Sequence, residues 1–387
     1  MRGDTTILMG TFVGMVLVVL CSCFVGGCIN IDGDDTPPLP TPNDILVTKI
    51  GGDGATQWST VLDTAEFEGF GDATETTDGR FAIVCIEYGH DRIQRLAFVE
   101  GDGTVGMVTV FDKNPGGSWD SEVSALAGGS VSVFDGASDF VVIDPDGAVV
   151  TEITLRQTPP PVWPIVAASS GPGDRTVAGW GEYYAVIEET GEVVWQEAYG
   201  DPELASRHPV LGLRNGDVAI LVAKNTNPDA RLTSDILHLL RIDGEGTILW
   251  NSSFPGDESQ IWRTGVEWPL QESADGNLLL LTTEGKTRSG IFGDRTTVVY
   301  IVRTFDGETG ALVAETSSGG HEPWESVLLA PDGSLDTFSV SDGILTHRKY
   351  DSDLNRISRD IRIAGEHDRQ PEVIATNDGG YLIVSIV

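Results

Sequence analysis

The sequence predicts an all-β chain folded as a seven-bladed β-propeller, and three observations carry that reading. Short apolar runs are separated by Gly- and Asp-rich turns along the whole chain, with 47 Gly and 19 Pro among 387 residues and no long helical period. Two kinds of hairpin alternate. One carries Gly-x-x-x-Trp, at Gly54/Trp58, Gly191/Trp195 and Gly246/Trp250; the other has a glycine turn between apolar runs, as in ATETTDGRFAIV and VIATNDGGYLIV. The series opens on the first kind and ends on the second, so both ends of the chain fall in mid-unit. Pairing those ends closes a ring and leaves no open line of sheets.

The elements follow in order. Outer hairpins are expected to turn near Gly54, Gly103, Gly147, Gly191, Gly246 and Gly310, with a glycine-free turn near Asp353. Inner hairpins are expected to turn near Gly79, Gly129, Gly171, Gly216, Gly276, Gly333 and Gly379. The two series interleave without a miss, and one of each makes a four-stranded blade. Residues 44–387 divide into about 49 residues per blade, close to the repeat length of propellers. The seventh blade takes its inner strands from Pro371–Val387 and its outer strands from Ile45–Leu62. The tryptophans read as blade-to-blade packing, with Met107, Thr151 and Ala314 in their place elsewhere. Cys85, in the apolar run FAIVCIEYG, reads as a buried thiol.

Upstream of the propeller, Ile7 to Gly27 is a 21-residue stretch without a charge, preceded by Arg2 and followed by Asp32, Asp34 and Asp35. It is long enough to span a bilayer, and the charge asymmetry directs the downstream chain to the outside of the membrane. The stretch ends in Val25-Gly26-Gly27-Cys28. Small residues before a cysteine resemble the lipobox of prokaryotic lipoproteins, which implies lipidation of Cys28; an uncleaved membrane anchor is the alternative. The chain thus divides into a leader or anchor at 1–28, a Pro/Asp-rich linker at 29–43 and the propeller at 44–387. The expected location is the extracellular face of the cell membrane. With Cys85 alone in the body, no internal disulfide is possible there.

Net charge is −35, from 59 acidic and 24 basic residues, and only five of the basic ones are lysine. Such a field opposes nonspecific binding of nucleic acid, so no nucleic-acid partner is expected. Dense carboxylates with few lysines also resemble proteins of halophilic organisms; a plain acidic extracellular surface accounts for them equally.

The units resemble the quinoprotein-type (PQQ-like) repeats of bacterial and archaeal propeller lipoproteins. The matching residues are the Asp/Gly turns followed by Trp58, Trp195 and Trp250, and Asn377-Asp378-Gly379-Gly380-Tyr381, and the resemblance runs from about Asp44 onward. It implies the fold. Many enzymes with pyrroloquinoline quinone and this repeat style carry a vicinal disulfide against the cofactor, which Cys85 alone cannot supply, so no cofactor is expected. No metal is expected either. Asp351-x-Asp353-x-Asn355 begins like a calcium loop, but Arg356 stands where its glycine is needed and Arg362 where its closing glutamate belongs.

Candidate functional residues gather where the innermost strands begin. Trp163, His208 and Trp268 each stand eight residues before an inner turn glycine, and each is followed by proline. Arg207 and Arg263 lie beside them, and Trp324 stands in nearby register in a later blade. These residues either cap the core or line a ligand site at the mouth of the channel. Two insertions, KNTNPDARLTSD from Lys224 and EGKTRSGIFGDRTT from Glu284, are expected as long loops on the same face, bringing Lys224, Arg231, Lys286, Arg288 and Arg295. Aromatic faces beside cations suit a sugar, an anionic glycan or a loop of a protein partner. The first reading is therefore a tethered ligand- or partner-binding module. One alternative is an enzyme acting on an extracellular polymer, with an acid/base pair drawn from Asp72, Glu122, Glu267, Glu325 and Glu372, among which no spacing singles out two. Another is an envelope assembly scaffold.

Overall fold

The structure is a computed structural model. It describes residues 44–62, 68–88, 92–112, 121–135, 139–155, 166–171, 174–180, 183–199, 209–224, 236–255, 269–290, 293–318, 324–341, 343–358, 360–363 and 371–386. The chain enters the fold with β1 (Ile45–Ile50) and β2 (Thr56–Leu62). Six sheets then succeed one another along the sequence. Blade 1 is β3 (Glu68–Glu75), β4 (Phe81–Tyr88), β5 (Arg92–Val99) and β6 (Val105–Asp112). Blade 2 is β7 (Ser121–Ala125), β8 (Val131–Asp135), β9 (Asp139–Ile143) and β10 (Val149–Thr154). Blade 3 is β11 (Val166–Gly171), β12 (Arg175–Trp180), β13 (Tyr183–Glu188) and β14 (Val193–Ala198). Blade 4 is β15 (Val210–Gly212), β16 (Val218–Lys224), β17 (Ile236–Ile242) and β18 (Ile248–Pro255). Blade 5 is β19 (Leu270–Glu272), β20 (Leu278–Gly290), β21 (Gly293–Phe305) and β22 (Leu312–Ser317). Blade 6 is β23 (Ser326–Leu329), β24 (Leu335–Ser341), β25 (Ile344–Tyr350) and β26 (Ile361–Ile363). Blade 7 joins β27 (Glu372–Ala375) and β28 (Tyr381–Ile386) to the first two strands in the order β2-β1-β28-β27. The chain is an all-β seven-bladed propeller closed by its own two ends.

Closure rests on six antiparallel pairs between β1 and β28, from Ile45↔Ile386 to Ile50↔Tyr381. The period-2 alternation of both strands sends side chains to two neighbours at once. Ile45, Val47, Leu382 and Val384 pack with Phe81, Ile83 and Cys85 of blade 1. Ile50, Tyr381 and Ile383 pack with Phe338, Leu345 and Ile363 of blade 6. Cys85 is buried in β4, as its apolar run required.

The repeated glycine and tryptophan are two halves of one contact. Every outer turn holds a left-handed residue: Gly54, Gly103, Gly147, Gly191, Gly246 and Gly310 in six blades and Leu354 in the remaining one, all at positive φ. The turn of one blade sits on the outer strand of the blade before it. A Cβ at Gly103 would lie 2.7 Å from the ring of Trp58, and one at Gly310 would lie 2.6 Å from that of Trp250. Glycine is needed there both for its φ and for the missing side chain. The indoles then donate to the same turns, Trp58 Nε1 to the Gly101 carbonyl and Trp250 Nε1 to the Gly307 carbonyl, each at 2.8 Å. Trp195 is more deeply buried, and there Tyr199 Oη donates to the Gly246 carbonyl instead, at 2.8 Å. Blade 5 carries Ala314 in the tryptophan register. The following turn carries Leu354 in the glycine position, buried among Leu279, Tyr300 and Trp324. Small and large residues have exchanged places across that seam.

Inner turns also bond from blade to blade. Asn377 N donates to Glu75 Oε2 at 2.6 Å, Gly129 N to Thr77 Oγ1 at 2.9 Å, Ala127 N to Asp174 Oδ1 at 3.1 Å, and Arg214 N to Glu272 Oε2 at 2.8 Å. These bonds hold the inner turns of neighbouring blades side by side. By the antiparallel order, the second-to-third-strand and blade-joining connections leave from the opposite, loop-bearing face. The blade 3 inner hairpin turns next to Gly171, as expected: Gly171 is the last residue of β11, paired with Arg175, and among the described residues of that turn Asp174 is left-handed, with φ of 60°. Aspartate tolerates that region better than most side chains.

Deleting residues 381–387 removes a strand that is bonded on both sides. It strips out Leu382, Ile383, Val384 and the Tyr381 ring, a loss on the order of 10 kcal/mol by burial of such side chains, comparable to the whole stability of an ordinary domain. The truncated chain should fail to fold or melt far below the parent in a thermal scan; a truncation that melts like the parent overturns the closed ring.

Candidate functional site

The expected site lies at the loop-bearing ends of the innermost strands. Pro209 and Pro269 stand directly before β15 and β19. Each offers its carbonyl to the second strand, Leu221 N to Pro209 O and Leu281 N to Pro269 O, both at 3.1 Å. Proline suits this position because no donor is required of it. His208 and Trp268, one residue earlier, lie outside the described residues, as do Trp163, Arg207, Arg263 and Cys28. What the structure gives for His208 and Trp268 is the attachment point, next to the start of an innermost strand on the loop-bearing face.

Trp324 is described, and its position corrects the expectation of a ligand-facing ring. It is 3% exposed. Its indole stacks on Tyr300 with ring centroids 3.7 Å apart and planes at 16°, and Tyr350 tilts against it at 5.2 Å. The Trp324 amide donates to Tyr300 Oη at 2.7 Å, and burial pushes that phenol up to about 12. Trp324 therefore fills the seam between blades 5 and 6. Its register resembles that of Trp268, but no proline comes after it: Glu325 does.

Two of the carboxylates near the starts of the innermost strands, Asp72 and Glu325, accept backbone amides. Asp72 Oδ2 accepts from Val123 N at 2.8 Å and so ties blade 1 to blade 2. Glu325 Oε2 accepts from Val340 N within blade 6, and burial raises the pKa of this carboxyl. Glu267 lies outside the described residues. Asp351, the head of the calcium-like run, accepts the amides of Asp353 at 3.0 Å and Asn355 at 2.8 Å, which makes the run a hairpin turn. Among the described residues no group of His, Cys, Asp and Glu could hold a metal ion.

Of the two insertions, the first begins at Lys224, which is the last residue of β16 and pairs with Ile236 and so is not in a loop; the rest of it, 225–235, lies outside the described residues. The second is a correction. Its residues continue β20 and β21 as a paired ribbon out to Gly290↔Gly293, not as a loop. The run Thr296-Thr297-Val298-Val299, rich in β-branched residues, was the available signal for strand.

Sequence reading missed two polar clusters that flank the closing blade. Lys49, in β1, is 4% exposed and donates to Thr376 Oγ1 and Asp378 Oδ1, both at 2.6 Å. The Lys49 and Thr376 hydrogen bonds hold the Asp378 carboxyl down at about 2. Thr376-x-Asp378-Gly379 recurs as Thr76-x-Asp78-Gly79 and Ser273-x-Asp275-Gly276, each hydroxyl donating to its aspartate. On the other flank His347 is fully buried, with Nε2 2.7 Å from Asp336 Oδ1 and its ring stacked on Phe338 and edge-on to Tyr381. Lys349 Nζ lies 3.6 Å from the same carboxylate, and burial followed by the Asp336 charge raises the Tyr381 phenol.

No family model matches the chain, and no curated protein matches it. Among solved structures it is similar to a protein from Bacteroides fragilis provisionally assigned as a 6-phosphogluconolactonase, at 12% identity over 85% of this chain and 97% of that one, with a TM-score of 0.50. A protein from Bacteroides uniformis with the same provisional assignment aligns at 12% identity over 83% of this chain and 98% of its own, also with a TM-score of 0.50. BamB from Moraxella catarrhalis aligns at 13% identity over 87% of this chain and 90% of its own, with a TM-score of 0.45. At these identities the likeness speaks for the propeller fold alone.

The Lys49–Asp378 pair gives a pH test. A folded pKa near 2 against 3.8 for the free side chain means that the stabilisation is complete above about pH 4 and is lost as pH falls through about 2. Asp378→Asn should lower the melting temperature at neutral pH and flatten the acid limb of the stability curve in that window. Lys49→Met should cost less, because it removes the buried charge and leaves behind the half-exposed Asp378 carboxylate, which water can solvate. An Asp378→Asn protein with the parental acid limb rules out this assignment.

Proposed function

We propose that this chain is an exported, membrane-tethered β-propeller that binds a ligand or partner with its loop-bearing face. The observation that carries the reading is the unlikeness of the two faces. On the turn face, connections such as 51–55, 76–80 and 100–104 are short and closed by their own backbone hydrogen bonds. On the other face, the chain takes residues 155–165, 199–209 and 256–269 to pass from one blade to the next. Long connections on a rigid ring are where such folds place recognition. Those same segments carry Trp163, Arg207, His208, Arg263 and Trp268. An aromatic and cationic lining suits a sugar, an anionic glycan or a peptide loop. The uncharged stretch 7–27 and Val25-Gly26-Gly27-Cys28 support export and lipid attachment at Cys28, with residues 29–43 as the tether.

Two arms test the proposal on the full chain. Cys28→Ser should release the protein from the membrane fraction or arrest its processing; unchanged, full-length membrane protein favours the uncleaved anchor. Across a panel of neutral and anionic glycans, Trp268→Ala and His208→Ala should abolish or sharply weaken the binding seen with the parent and leave the melting temperature near the parental one. Trp195→Ala, at a ring 7% exposed, should do the reverse, costing about 3–5 kcal/mol of stability. Panel binding unaffected by both loop substitutions defeats the ligand-site reading.

A further inference from the structure

Among the asparagines of the sequence only Asn251 heads an Asn-x-Ser run without proline, Asn251-Ser252-Ser253. That is the acceptor pattern for N-linked glycosylation of exported chains. A three-residue pattern also recurs by chance, so the surroundings of the side chain decide. They set Asn251 apart from the other described asparagines. Asn215, Asn277, Asn355 and Asn377 stand in turns. In the first three the side-chain amide is committed to an aspartate: Asn215 Nδ2 donates to Asp217 Oδ2 at 2.9 Å, Asn277 Nδ2 to Asp275 Oδ2 at 2.9 Å, and Asn355 Nδ2 to Asp351 Oδ2 at 3.4 Å.

Asn251 stands instead in β18, the outermost strand of blade 4. Asn251 and Ser253, two apart on a strand, share one face, and both are exposed. Ser252, between them, donates to the Gly310 carbonyl of blade 5. His238 of β17 lies across the pair, with Nδ1 3.0 Å from Asn251 Oδ1 and 2.9 Å from Ser253 Oγ. A carboxamide oxygen only accepts, so His238 donates to it through Nδ1. Asn251 Nδ2 then has no partner among the described residues. Replacing one of its hydrogens by a sugar breaks no hydrogen bond there and leaves the His238 contact to Oδ1 in place.

We infer that Asn251 is a site of N-linked glycosylation. The inference rests on the export part of the reading above. In the transfer, Asn251 Nδ2 forms a bond to the anomeric carbon of an oligosaccharide carried on an isoprenoid phosphate. The bond from that carbon to the phosphate oxygen breaks, and the carrier leaves with the electron pair. The amide nitrogen gives up one proton to a base of the transferring enzyme, and nothing is oxidised or reduced. Folding order favours access. Blade 7 cannot form until β28 has arrived, so β18 crosses the membrane before the ring closes. After closure the side chain stays at the surface, and the glycan needs no room inside the fold. Its place also has a physical use. The outer strands of blades 4 and 5 expose Ile248, Leu249, Leu312 and Val313, with Leu249 51% and Val313 61% accessible. An open strand edge with apolar residues invites edge-to-edge pairing, and a bulky, solvated glycan two residues from Leu249 obstructs it.

The test uses the full chain purified from the cells that produce it, after protease treatment of intact cells has established on which side of the membrane it lies. Trypsin cuts after Arg241 and Arg263 and releases Ile242–Arg263, the peptide that holds the acceptor. Its mass should exceed that of the bare peptide by a glycan, and fragmentation should place the increment on Asn251. Asn251→Gln and Ser253→Ala should each abolish the increment. Ser253→Thr keeps the hydroxyl and Ser252→Ala keeps the pattern, so both should retain it. A bare peptide from exported protein overturns the inference and leaves the export reading standing. An increment that survives Asn251→Gln lies on a hydroxyl side chain and overturns the inference as well. Protein confined to the inside of the cell overturns both readings. The parental peptide decides by itself, so the test stands even where a variant folds poorly.

Discussion

The pairing of β1 with β28 is the contact on which every other part of the structure depends. A propeller blade is stable only between two neighbours, because its apolar faces on both sides must be covered. Six of the seven sheets are continuous in sequence, and the seventh exists only if Ile45–Ile50 finds Tyr381–Ile386. The strands that meet there are among the most completely buried in the protein, and the seam is reinforced by polar groups on both flanks. Lys49 reaches across to Thr376 and Asp378 on one hairpin, and Tyr381 meets the buried Asp336–His347 pair of blade 6. Long-range closure of this kind carries a high loop-closure entropy, so specific directional contacts at the joint are physically reasonable.

Once closed, the ring is governed by one repeated steric exchange. A left-handed glycine at six of the seven outer turns lets the turn of one blade press onto a side chain of the blade before it, and the Trp58 and Trp250 indoles return a hydrogen bond to that turn. Where blade 5 substitutes Ala314, the next turn substitutes Leu354 and accepts a positive φ on a branched side chain to keep the wedge filled. Total volume at the seam matters more than which blade supplies it. The same requirement explains Trp324, which fills the seam between blades 5 and 6 together with Leu354.

The two faces of the disc divide the labour of the fold. The turn face is a lattice of short, self-bonded hairpins in which aspartates accept backbone amides, as Asp243 does from Glu245 and Thr247. Such hydrogen bonds hold the Asp102 and Asp243 carboxyls below their usual range, so this face keeps negative charge well into acid. The other face bears the long connections and the blade 5 ribbon.

Much of this was legible in the sequence by itself. Turn glycines announce themselves because no other residue tolerates left-handed backbone so readily, and Asp/Gly turns at regular spacing between apolar runs specify both the strand count and the split seventh blade. The glycine-free seventh turn, the buried Cys85 and the packing role of Trp58, Trp195 and Trp250 came from the same local patterns. Tertiary structure alone decided what depends on the neighbouring sheet. Trp324 and Trp268 look alike in register, yet stacking on Tyr300 buries Trp324, and only the approach of blade 5 could reveal that. The segment after Glu284 has the composition of a loop, and its cross-strand partners make it a ribbon. Lys49 and Asp378 stand at opposite ends of the chain, and nothing local to either marks a pair that forms only when the ring has closed.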